Sequence, residues 1–149
     1  MLISAMRGYS GIFAIALSLS GYAACAFSQC VSRFDQMLST AGEEHDASHR
    51  GSDLKRLDDL VNSMSGDERR NITNRQVDRL AFFLRDDSDL VRMYAAIALG
   101  RIGKPAKRVL PALEFALKNR SRSSSIVTDP DLGSDSAIQA AMIKINATN

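Results

Sequence analysis

The sequence predicts an all-α fold, and three features carry that expectation. Asp89 to Gly103, DLVRMYAAIALGRIG, sets Leu90, Val91, Tyr94, Ala95, Ala98, Leu99 and Ile102 at steps of one, three and four. That spacing gathers side chains on one side of a 3.6-residue helix. No segment alternates apolar and polar residues with period two, as a half-buried strand would. The apolar pattern also repeats. Val77, Leu80 and Leu84 recur as Leu110, Leu113 and Leu117 after 33 residues, and Ala98, Leu99 and Ile102 recur as Ala141, Met142 and Ile145 after 43. Repeated helical pairs signal units that stack because none buries its apolar side alone. The 149 residues suffice for one domain. With 45% hydrophobic residues and no Trp, the core is expected to be aliphatic and alanine-rich.

Residues 1–28 read as an export signal. Arg7 is their only basic side chain, no acid is present, Ile12 to Leu19 is apolar, and Ala23, Ala24, Ala26 and Ser28 are small. That order of charge, apolar run and small residues is what a signal peptidase recognises, with cleavage after Ala26 or Ser28. An uncleaved anchor is an alternative, but a span needs roughly 20 apolar residues. The run to Phe27 is shorter and holds Ser18, Ser20 and Gly21. Tyr22-Ala23-Ala24-Cys25 resembles a lipobox, with Tyr22 where Leu is usual, so a lipid on Cys25 is a second alternative. Cleavage leaves Cys30 as the lone thiol, a residue readily accommodated as a small apolar group.

Residues 29–52 are expected to hold one helix and a polar linker. Val31, Phe34, Leu38 and Ala41, with Met37 beside them, form a modest amphipathic stripe that Gly42 ends. Gly42 to Ser52, GEEHDASHRGS, is polar and rich in small residues, and reads as the linker. His45 and His49, four apart among Glu43, Glu44 and Asp46, would share one side of a helix and could hold zinc. Their order is not that of a metalloprotease motif, and a solvated linker is the plainer reading.

Residues 53–149 form the helical domain. Ser52 can cap a helix carrying Leu54, Leu57, Leu60, Val61 and Met64, closed by Gly66. Ser65 with Glu68, and Thr73 with Gln76, are spaced as capping boxes. The next stripe is Val77, Leu80, Ala81 and Leu84. Phe82 and Phe83 are adjacent and cannot face the same way, so one packs inward and the other is partly exposed. Ser88 or Asp87 caps the helix that follows, Gly103 stands where a left-handed terminator is common, and Ala95, Ala96 and Ala98 let another backbone come close. Pro105 fits a first helical turn; Pro111 lacks an amide donor and should kink or restart its helix. Asn119 to Gly133 has no periodicity, and Ser134 or Asp135 caps the last helix.

Asp89, Val91, Arg92, Ala95, Ala96, Ala98, Leu99, Gly100, Ile102 and Gly103 resemble the second helix of a HEAT repeat of the short, phycobilisome-lyase-like type, the likeness running from Val77 to Lys118. The resemblance implies a short right-handed α-solenoid of antiparallel helix pairs. It also implies structural roles for Asp89, in the turn between paired helices, and for Arg92, hydrogen-bonding along the stack. The last copy has Ser134 and Asp135 in place of the Val-Arg pair, as a degenerate terminal repeat does. Some family members help attach bilin pigments, but nothing beyond the repeat points to that activity.

The formal net charge of +2 gives no argument for nucleic acid or an anionic membrane. No phosphate loop, nucleophile elbow or Cys-His pairing remains after signal removal, so neither catalysis nor a cofactor is expected. Asp129 to Asp135 is faintly like a calcium loop, with its Gly one place early and the closing Glu missing. Asn71, Asn119 and Asn146 each open a glycosylation sequon. Arg101, Lys104, Lys107, Arg108, Lys118, Arg120 and Arg122 form a basic tract opposed only by Glu114, either a docking surface or a wet side. The expected function is an exported protein–protein interaction module, periplasmic or secreted, acting as adaptor or inhibitor. Arg101, Lys104, Arg108, Arg120 and Arg122 would face an unidentified protein partner. A metal protein or enzyme using His45 and His49 is an alternative, as is a lipoprotein tethered through Cys25.

Overall fold

The computed structural model describes residues 29, 32–119 and 133–148. The described residues are helical, with no strand among them. Helix α1 covers 32–43 and buries Phe34, Leu38 and Ala41, so the expected stripe holds where it is described. Helix α2 spans Ala47–Ser63 and starts earlier than the sequence suggests. Asp46, not Ser52, is its cap: the carboxylate accepts from the amides of Ser48 at 2.7 Å and His49 at 3.2 Å. The linker therefore shrinks to residues 44–46, and the boundary expected at residue 52 falls inside α2. Its first turn is solvent-facing and carries no apolar repeat, so it has no helical signal in the sequence. Gly51, which resembles a breaker, is buried against Leu90.

Both capping boxes form. Ser65 and Glu68 close the start of the short helix α3, Gly66–Arg70, so Gly66 opens a helix and does not close α2. Thr73 and Gln76 do the same for α4, Asn74–Phe82, with the Thr73 amide donating to Gln76 Oε1 at 2.8 Å. A 3₁₀ turn, Phe83–Arg85, ends this unit.

Helix α5, Asp89–Ile102, is the centre of the molecule. It packs most extensively on α7 and α2. Val91, Ala95, Ala96, Ala98 and Leu99 are sealed from solvent. The expected stripe departs from burial at Leu90, which stays 42% exposed at the first turn. Ser88 occupies the cap position, but its hydroxyl makes no capping bond. Gly103 ends the helix at φ 72° and ψ −124°, a positive-φ conformation that side chains other than glycine adopt at a cost, though not the left-handed helical geometry expected there.

A 3₁₀ segment, Lys104–Val109, leads into α6, Leu110–Lys118. Each begins with a proline in its first turn, where the missing amide donor is not needed, so Pro111 restarts the helix. Helix α7, Ser134–Ala147, runs parallel to α5, its start beside Asp89 and its end beside Gly103. Gly100 permits their close approach: a Cβ there would lie 2.9 Å from Ala141 Cα. The expected cap from Ser134 or Asp135 is not used. Gly133 holds that position, and Asp89 of α5 supplies the acceptor. The core is one cluster, rich in Leu, Val and Ala, running from Phe34 to Ile145.

Candidate partner-binding surface

Two kinds of surface are on offer, the basic tract expected from sequence and a groove formed by folding. Two arginines of the tract are engaged within the chain. Arg101 Nε lies 2.8 Å from Asp58 Oδ1, off the line of a hydrogen bond, so this contact is coulombic. The same guanidinium donates to Asn62, and the Arg101 carbonyl accepts from Arg69 Nη1 at 3.2 Å. Asp58 is buried, which pushes its carboxyl up, while the Arg101 charge pulls it down without cancelling the rise. Arg101 thus ties α2, α3 and α5 together. Arg108 pairs with Asp78 at 3.3 Å, and Lys104 stands exposed. Arg120 and Arg122 lie outside the described residues.

Asp89 and Arg92 meet in one cluster with the start of α7. Asp89 accepts from Arg92 Nη2 at 2.8 Å, from the Ser134 amide at 3.3 Å and from the Ser134 hydroxyl. Burial raises the Asp89 carboxyl, but the Ser134 bonds and Arg92 outweigh it and hold the group below its usual range. Arg92 also donates to the carbonyls of Asp86 at 2.7 Å and Asp87 at 3.0 Å. The cluster satisfies the turn before α5 and the start of α7 at once, a structural task.

His45 and His49 are both exposed. Among the described residues no group of three His, Cys, Asp or Glu side chains is arranged to hold a metal. Residues 1–28, with Cys25, and most of the Asp129 to Asp135 segment lie outside the described residues. No helix among the described residues is long and apolar enough to cross a membrane.

The groove runs between α1 and α4. It is open to solvent, holds about 660 Å³ and is walled by Leu38, Gly42 and Glu43 on one side and Arg75, Arg79 and Phe82 on the other. A smaller hollow of about 320 Å³ continues past Phe82 towards Arg85. Arg79 joins the two helices, reaching Asp35 at 3.3 Å and the Ser39 hydroxyl at 2.9 Å. Phe83 turns inward and is 6% exposed; Phe82 turns outward and is 72% exposed, its ring edge-on to Phe83 at 6.4 Å. The adjacent pair foretold one outward aromatic, but not the groove, because α1 and α4 are distant in sequence. Further along, the Arg85 guanidinium sits 5.6 Å over the ring of Phe115, itself 53% exposed. No family model matches the chain, and neither the curated proteins nor the solved structures compared with it give a match.

Proposed function

We propose that the chain is a protein-binding scaffold of HEAT-type helical pairs, exported by its N-terminal segment. One observation carries the binding reading: Phe82 is 72% exposed at the edge of an apolar groove, in a fold that closes its other α4 apolar side chains. Single exposed apolar residues are ordinary, but an aromatic beside a groove and flanked by arginines has the composition of a binding hot spot. The HEAT-type reading is supported by the place of α5 between α2 and α7, and by the turn-bridging contacts of Asp89 and Arg92.

The test is affinity capture with the exported chain as bait, the bound protein being identified by mass spectrometry. Capture should be lost with Phe82→Ala, and reversal of Arg120 and Arg122 should weaken it if the basic loop takes part. A partner retained by Phe82→Ala moves the contact away from the groove, and no captured partner removes the reading. Mass spectrometry of the mature N-terminus distinguishes cleaved, acylated and intact forms.

A further inference from the structure

The groove between α1 and α4 has an apolar floor, but its two rims carry opposite charge. On the α4 side Arg75 and Arg79 lie four residues apart. On the α1 side the end of the helix carries Glu43. The division ends in the hollow beyond Phe82, which Arg85, Asp86 and Asp87 line together with Glu44 and Arg50, the last paired with Asp86. Internal pairing does not erase this division. Asp78, the acid on the α4 wall of the groove, is engaged by Arg108, and Arg79 pairs with Asp35 of α1. Arg75 and Glu43 are both exposed, and neither has a charged partner among the described residues.

The shape also selects an occupant. Helix α4 has nine residues, roughly 13 Å at 1.5 Å per residue, which matches about two turns of a helix laid beside it. Grooves between helices accept the apolar stripe of another helix through side chains at i, i+3 or i+4, and i+7. Among the described residues there is no strand edge for an extended peptide to join.

We infer, building on the scaffold reading above, that this groove takes an amphipathic helix of a partner protein. Its apolar stripe is flanked by carboxylates on one side and by lysines or arginines on the other. The apolar stripe lies against Leu38, Phe82 and Phe83. The acidic flank faces Arg75 and the basic flank faces Glu43, so the charges fix the direction in which the helix lies.

A library of displayed helical peptides, selected against the immobilised full chain, tests this. Enrichment of helices with an acidic and a basic flank is expected. Arg75→Glu should weaken a selected peptide about tenfold, and exchanging its facing acid for Lys should restore binding. Glu43→Lys should behave as the mirror image. Both positions are exposed, so circular dichroism of the variants should match the parent. Peptides of a single charge sign overturn the inference, as does binding indifferent to both reversals. Failure to select any peptide, whether because a second copy or the chain's own N-terminal segment fills the groove, also overturns it. A natural partner lost with Phe82→Ala but untouched by either reversal would sink the two-flank inference and leave the scaffold reading standing.

Discussion

Helices α5 and α7 carry the same apolar pattern 43 residues apart, yet the fold treats them differently. Leu99 and Ile102 of α5 are buried, because α2 covers one flank and α7 the other. Their counterparts divide: Ile145 is sealed, Met142 is only partly covered, and Ile143 beside it is 69% exposed. Nothing among the described residues covers the outer side of α7 as α2 covers α5. A repeated apolar pattern therefore specifies helices and a packing edge, while the neighbours each helix meets in the fold decide how much of it is buried. Helices α4 and α6 differ less: Leu80 and its counterpart Leu113 are both sealed, while Leu84 is sealed and its counterpart Leu117 only partly covered.

The sharpest way to break this comparison is paired truncation. Leu99→Ala should cost about 3 kcal/mol in urea unfolding, through lost transfer energy and the cavity left behind. Met142→Ala should cost about 1 kcal/mol, since its site is already partly wet. Equal losses would contradict the difference in coverage. Gly100→Leu attacks the contact between the copies. Its added carbon meets Ala141 backbone, which cannot swing aside, so a loss of about 2–3 kcal/mol is expected by thermal unfolding.

Asp89→Ala should cost about 1.5 kcal/mol by removing the acceptor that starts α7 and a partner of Arg92. Its folded pKa lies below the ordinary 3.8, so its contribution is present above that value and lost as pH falls through the folded pKa. Parent and variant stabilities should therefore converge in acid. Asp58 has the opposite sign: its folded pKa lies above 3.8, and the cost of keeping it charged is relieved as pH falls from above that pKa towards 3.8. The smallest effect belongs to Ile143→Ser on the outer side of α7, expected within about 0.5 kcal/mol of the parent by the same unfolding assay. A larger loss would mean that something covers this side.

What the sequence could show was what neighbours along the chain decide. The α5 stripe, the capping boxes at Ser65 and Thr73, and one outward phenylalanine all depend on residues within a turn or two. The start of α2 was hidden because an exposed first turn has no apolar repeat, and because Gly51 serves a tertiary contact with Leu90. Long-range pairings were out of reach. Arg101 counted as one cation of a surface tract until the fold set it against Asp58, 43 positions earlier. Asp89 capping a helix that begins 45 positions later has no local signature. The groove is hidden for the same reason, since it exists only where α1 meets α4.

Among the described residues α5 is enclosed on both flanks and α7 on one, and native-state amide hydrogen exchange tests this most directly. Amides from Ala95 to Leu99 should exchange only through global unfolding, with protection that follows the full denaturant dependence. Amides from Ala141 to Ile145 should open at lower free energy, with a shallower dependence. Protection of α7 equal to that of α5, or rapid exchange within α5, would contradict the account.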